Sequence, residues 1–332
     1  VEGMSYLVRR LAFYLVAAWV AITLNFFIPR AVPGNPAEII LSKYPSLTPQ
    51  AFKALEQMIG GAVGTGSLWS QYLHYWNDVF HFNFGVDLSE FPTPVSQILD
   101  QAIPWTLILV GSATVISFLV GTGLGILAGW RHGGALDRSL PVWMFFQAAP
   151  YFFIALILVD FFAIQHHWLP VGQGFNGEVT SPGWTWAFIS NALEHSILPA
   201  FTIVLTSVAG WMLQMRNVMI TTISEDYVIA AQAKGLSKRR IIFTYAARNA
   251  LLPQLQGFGL ALGFVVSGAL IMELVFSYPG IGYLLLESVQ NKDFPLMQAI
   301  FLVITFAVLV ANLVVDLVIV FFDPRARARE AA

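Results

Sequence analysis

ISEDYVIAAQAKGLSKRRIIF, Ile223 to Phe243, breaks into an otherwise apolar chain. An apolar run from Ile197 to Met219 precedes it, and another follows Pro253. Between them stand Glu225, Asp226, Lys234, Lys238, Arg239 and Arg240, with Gly235 in the middle. The segment carries its own folding signals. Ser224 is placed to cap a helix N-terminus, and Glu225 and Asp226 suit the positive end of that helix's dipole. YVIAAQAK is a good helix former, and Ala230, Ala231 and Ala233 keep one side slim. Gly235 suits a helix C-terminus, where φ is positive. Ser237 can then cap a second helix, KRRIIFTYAARNALL, with Pro253 as the boundary to the next apolar run. The pattern is helix, glycine turn, helix. On these residues alone two uses remain open. One is a loop held on its side of a membrane by charge. The other is a protrusion whose slim alanine face fits a groove on a soluble partner.

The flanking runs belong to a larger set. The chain has 332 residues, 57% of them hydrophobic and 11% charged, against about 25% charged in soluble domains. Six segments, roughly 8–29, 104–130, 140–165, 196–221, 254–276 and 297–322, are long enough to cross the ~30 Å hydrocarbon core of a bilayer. They do not alternate in polarity as barrel strands do, so helices are expected, each satisfying its own backbone. The fold class expected is an all-α membrane protein of six transmembrane helices, one permease domain over 1–332. Leu11 to Ile28 is read as a span rather than a cleavable signal, because no small-residue cleavage site follows it.

Basic residues set the topology. With both termini cytoplasmic, thirteen of the seventeen lysines and arginines lie inside, leaving Arg30, Lys43, Lys53 and Lys292 outside. The positive-inside rule favours that orientation, and it places the hairpin 223–252 in the cytoplasm. Three segments then face outward. Residues 30–103, with their prolines, glycines and mixed polarity, are expected to form an extracytoplasmic insert. The others are about 166–195 and 277–296. Tryptophans 76, 105, 168, 184 and 186 sit in or beside these segments, where they suit an interfacial aromatic belt or a substrate-stacking role. Gly121, Gly125 and Gly129 line one face of the second span, and Gly259 and Gly263 repeat the spacing in the fifth. Such spacing lets helix backbones approach closely.

Few residues suggest chemistry. There are no cysteines, hence no thiolate nucleophile or thiolate metal site. GxSxG and HExxH are absent, so no catalytic residue is assigned. No Gly-Lys pair occurs, which rules out a P-loop in this chain. Asp160, Glu273 and Asp316 fall within apolar segments, where acids are costly. They suit inter-helix hydrogen bonds or a pathway. Gln214, Arg216, Glu273 and Asp316 are the candidates for a translocation path or gate, with Arg216 equally suited to anchoring a helix end. His166, His167 and His195 are poorly spaced to chelate together, and no metal site is assigned.

DYVIAAQAKGLSKRRIIFTYAARNALLP resembles the coupling loop of ABC importer permeases, in the version of the peptide/nickel family. The family's Glu-Ala-Ala appears here as Ile229-Ala230-Ala231, with Gly235 in place and the glutamate missing. PGNP (33–36), FGVDLSEFPTPV (84–95), IPWTLILV (103–110), HSILPAFTIVL (195–205), MELVFSYPGIGYLLLESVQNKDFPLMQA (272–299) and NLVVDLVIVFFDPRAR (312–327) extend the resemblance along nearly the whole chain. The likeness is to the first of two permease subunits, with a type I importer fold. It implies a second, homologous permease, two cytoplasmic ATPase domains and an extracytoplasmic substrate-binding protein. ATP and Mg²⁺ would be handled in those partner ATPases, with no cofactor held by this chain and no nucleic acid involved. It also implies a bacterial-type inner membrane as location and small peptides as the default cargo, with oligosaccharides and then nickel as alternatives. Asp226, Ala230, Ala231, Lys234, Gly235, Lys238, Arg239 and Arg240 become the expected ATPase-coupling residues. A secondary transporter or channel is the rival from another class; it would show no such hairpin and often an internal repeat.

Overall fold

The computed structural model describes residues 2–31, 48, 67–265 and 270–322, with backbone only for 2–8, 29, 31 and 315–322. Among the described residues the chain is helical, with no named strand and one isolated bridge, Val86 to Pro94. In chain order the helices are α1 (Glu2–Ala31), α2 (Leu68–Phe80), α3 (Val95–Trp130), α4 (Ala135–Arg138), α5 (Leu140–Ala148), α6 (Tyr151–Leu158), α7 (Trp186–Ile223), α8 (Asp226–Ala233), α9 (Lys238–Arg240), α10 (Ala247–Val265), α11 (Leu270–Val275), α12 (Ile281–Gln290) and α13 (Phe294–Phe322). Two π-helical stretches, Val159–Gln165 and Ile241–Ala246, extend α6 and join α9 to α10.

Four helices carry stretches long and apolar enough to cross a membrane: Arg9–Ile28, Val95–Trp130, Trp186–Ile223 and Phe294–Val314. A fifth candidate is the pair Ala135–Ala148 and Tyr151–Gln165, bent by 93° at the break. The expected span at roughly 140–165 falls on this bent pair, and Pro150 explains the break. It has no N–H to continue a helix and drives the residue before it out of the helical region; Ala149 is extended, at φ −68° and ψ 136°. The expected span 254–276 contains residues 266–269, which lie outside the described residues, as do 32–47 and 49–66 of the expected insert. Pro104 and Pro199, near the starts of the expected spans, lie inside longer helices, of 36 and 38 residues. The added segment 95–103 is amphipathic and buries Val95, Leu99 and Ala102 against Ile281, Leu296, Ala299 and Ile300.

The chain divides into two compact units, one of residues 1–106, 266–270 and 279–332, the other of 107–265 and 271–278. In the first, Ile22 and Phe26 of α1 pack with Tyr75 and Val79 of α2 and Leu302 of α13. Buried Asn25 ties the three helices, donating through Nδ2 to Tyr75 Oη at 3.1 Å and to the Gln298 carbonyl at 2.8 Å. In the second, α3 lies against α7 along its glycines. A β-carbon at Gly121 would sit 2.6 Å from the Val208 carbonyl, one at Gly125 2.6 Å from that of Met212, and one at Gly129 2.5 Å from Met219 Cβ. Those distances leave no room for a side chain, so the GxxxGxxxG spacing sets a backbone-to-backbone contact. In the same unit Gly172 lies against the Phe276 carbonyl, which also accepts from Gln173 N at 2.7 Å.

Candidate functional site

The hairpin forms, with three departures from its expected anatomy. Ser224 does not cap the following helix. It keeps a helical backbone (φ −83°, ψ −1°) and closes α7, its Oγ donating to the Thr221 carbonyl at 2.7 Å. Glu225 takes the N-cap of α8 with extended backbone and no side-chain bond to the helix, and Asp226 follows in the first turn. At the other end Gly235 has φ +68°. Its N–H donates to the Gln232 carbonyl at 2.9 Å, and Leu236 N reaches the Ala231 carbonyl at 3.4 Å. These are the paired bonds of a Schellman ending, which needs a left-handed residue at the position Gly235 fills. Leu236 then packs beside Ala231 and Val228.

Ala230 and Ala231 part company. Ala231 and Val228 are buried in the chain's own core with Ile126, Met215, Met219, Ile241, Ala246, Ala247 and Ala250. The expectation that Ala231 faces a partner is therefore corrected. One helical step is about 100°, so two adjacent alanines cannot share a narrow face. The outward face consists of Ala230 with Tyr227, Ile229 (51% exposed) and Ala233. Asp226, Lys234, Gly235, Lys238, Arg239 and Arg240 are all exposed. An open depression lies among Ser237, Arg239, Arg240, Phe243 and Thr244.

The returning arm does not stop at Pro253. Ser237 takes the N-cap position with extended backbone (φ −60°, ψ 141°) but no side-chain bond to the helix, and helix continues from Lys238 through the π stretch to Val265 with Pro253 inside. A proline in a helix removes one backbone bond, which membrane helices tolerate when neighbouring groups compensate. The hairpin's second arm is thus continuous with the next helix.

The remaining candidates are dispersed. Gln214 is exposed. Arg216 is held by Asp137, with Nε 2.7 Å from Oδ1 and Nη2 3.3 Å from Oδ2. The side chains of the pair are 20% and 8% exposed. Gly133, at φ +76°, adds an N–H to Asp137 Oδ2 at 2.7 Å. The anchoring role for Arg216 is the one this geometry supports. Glu273 is fully buried on α11. Burial, and then the nearby Glu273, push the Tyr278 phenol well above its ordinary range. Asp160 is exposed and accepts from Gln165 Nε2 at 2.6 Å. Asp316 lies on α13 with its side chain outside the described residues. His166 and His195 each turn Nδ1 toward a carbonyl one helical turn back, those of Phe161 and Asn191, both at 2.8 Å. Among the described residues no group of three or more histidines and acids could hold a metal ion.

One polar cluster was missed by sequence reasoning. Asp293, completely buried, is the N-cap of α13 and accepts from Leu296 N through Oδ1 at 3.1 Å. Its Oδ2 accepts from Leu88 N at 2.6 Å and Ser89 N at 3.0 Å. Asp87, 1% exposed, folds its own turn by accepting from Ser89 N at 2.7 Å and from Glu90 N. Burial, then the neighbouring Asp87 carboxylate, push the Asp293 carboxyl up to about 6 against the pull of the three N–H groups. The available signal was the Asp-Phe-Pro sequence, an acid followed by proline in the first helical turn.

The chain belongs to the family of binding-protein-dependent transport system inner membrane components, whose model matches residues 121–328. It is 35% identical to the probable peptide ABC transporter permease protein y4tP of Sinorhizobium fredii, over 97% of this chain and 99% of that one. It is 32% identical to the probable D,D-dipeptide transport system permease protein DdpB of Escherichia coli, over 94% of each. It is 29% identical to the oligopeptide transport system permease protein AppB of Bacillus subtilis, over 97% of this chain and 98% of that protein. The chain is thus a transport subunit of the inner membrane rather than an enzyme.

Proposed function

We propose that this chain is the peptide-conducting permease subunit of an ATP-driven importer, working by alternating access with ATP hydrolysed on separate chains. The observation that carries the reading is the helix–glycine–helix hairpin 223–252. Its inner face belongs to the chain's own core, while its outer face offers Ala230, Ile229 and Tyr227 within a charged rim. The full-length relatives whose names specify peptides, dipeptides or oligopeptides support the cargo. The chain crosses the membrane six times with both termini cytoplasmic, the fifth crossing running through residues 254–276. Residues 30–103 form the extracytoplasmic insert. Two ATPase domains grip this hairpin and its counterpart on a second, homologous permease, and an extracytoplasmic binding protein delivers the peptide. ATP and Mg²⁺ belong to the ATPases. Asp226, Ala230, Lys234, Gly235, Lys238, Arg239 and Arg240 make the coupling contact, with Ala231 as its internal support. Arg216, through Asp137, braces the helix that leads into the hairpin. ATP and loaded binding protein both favour the outward state, so each strengthens the other's effect.

The cargo is tested on the cognate binding protein by thermal shift against dipeptides, longer peptides, cello-oligosaccharides and Ni²⁺. A rise in melting temperature with peptides alone is expected. A rise with the sugar or the metal and none with peptides would overturn the assignment.

A further inference from the structure

Helices α3 and α10 pack antiparallel in a constant register. A β-carbon at Gly111 would lie 3.7 Å from a Val265 methyl. Seven residues on along α3, Phe118 stacks on Phe258, seven residues back along α10, with ring centroids 4.2 Å apart. Eight residues further on each helix, Ile126 and Ala250 share one core cluster. In that register the rung midway between the last two is Thr122 opposite Gln254. It lies about one helical turn from each neighbouring rung. Three rungs are apolar. This one carries a hydroxyl and a carboxamide.

Gln254 is completely buried, and among the described residues neither Oε1 nor Nε2 has a hydrogen-bond partner. Thr122, 4% exposed, likewise has none there for Oγ1. An unsatisfied carboxamide in a packed helix interface is destabilising, and a methionine of the same length would avoid the penalty. Sequences break that rule mainly where function needs the group. The surroundings agree. A β-carbon at Gly257, three residues past Gln254, would lie 3.8 Å from Gln214 Nε2 and 3.5 Å from the Trp211 ring. Trp211 in turn meets Phe118 edge-on at 5.3 Å. The rings of Phe118, Trp211 and Phe258 therefore close the polar rung on one side.

We propose that Thr122 and Gln254 form a binding station for the peptide groups of the cargo, shut in this conformation and opened when α3 and α10 separate. The proposal rests on the peptide reading above. A carboxamide offers one acceptor and two donors, so it pairs with both the N–H and the C=O of a single peptide unit, and the threonine hydroxyl serves a second unit. Neither group reads side chains, which suits a carrier of peptides of varied sequence. The aromatic trio acts as the closure, exchanging ring–ring contact for contact with the cargo when the helices part.

The test uses the complete transporter in proteoliposomes, with both permeases, ATPases and binding protein, and a labelled tripeptide. For Gln254→Met the expected result is a melting temperature equal to or a few degrees above wild type, unchanged ATP hydrolysis, and uptake reduced at least tenfold in kcat/KM. Thr122→Val should show a smaller loss of the same kind. Uptake by Gln254→Met equal to wild type would overturn the proposal. So would a lowered melting temperature with uptake and hydrolysis lost together, the signature of a structural amide or one bridged by buried water. Failure of the wild-type complex to take up any peptide would instead remove the peptide reading, and the cargo named here with it.

Discussion

The turn at 84–95 and the hairpin at 223–252 are both built around acids and tight backbone, and they are finished in opposite ways. In the first, Asp87 and Asp293 are buried and meet five backbone N–H bonds between them. The groups that could bind something else are already used inside the chain. In the hairpin the backbone closes on itself through Gly235, but the charged side chains stay in the open. Among the described residues no ion pair joins Asp226, Lys234, Lys238, Arg239 or Arg240 to the rest of the chain. One region fastens the chain to itself. The other is shaped by the chain and keeps its charged side chains exposed, as the proposed ATPase contact requires.

The largest effect expected from breaking this contrast is in the fastened region. Asp293→Ala would strand the N–H groups of Leu88, Ser89 and Leu296, and should lower stability by on the order of 3 kcal/mol. A melting curve of the purified protein in detergent or nanodiscs checks it. A smaller effect of the same group is its pH dependence. The carboxyl is raised in the folded state, so its favourable contribution is complete below pH ~4 and is lost as pH rises through about 6. Stability should therefore fall over that interval, on the order of 1–3 kcal/mol. Asp293→Asn should flatten this part of the curve while lowering it throughout, since an amide cannot accept all three N–H bonds. A wild-type profile flat between pH 4 and 7 would contradict the reading of this site.

How far each region was legible in the sequence follows from the range of the forces involved. Gly235 could be read because a positive φ is a local demand that few other residues meet. The glycines at 121, 125 and 129 could be read because their spacing repeats along one helix face. Ala230 and Ala231 looked equivalent, and only packing against Met215 and Met219 shows which of them faces inward. Ser224 failed as a cap because α7 continued one turn into it. The bend at Pro150 was signalled by proline, but its 93° angle depends on how α5 and α6 each find a surface. Asp293 and Asp87 are 206 positions apart, beyond any local pattern, and the same holds for Asp137 with Arg216 and for the proposed pairing of Thr122 with Gln254.

The most direct measurement concerns Gly235, where sequence, backbone and proposed function meet. Proline there cannot adopt φ +68° and has no N–H for the Gln232 carbonyl. The break is local and exposed, so Gly235→Pro should insert and assemble in wild-type amounts, with little change in global stability. In the reconstituted complex, peptide uptake per ATP hydrolysed should fall at least tenfold. Uptake per ATP equal to that of the wild type would show that this hairpin does not carry the coupling.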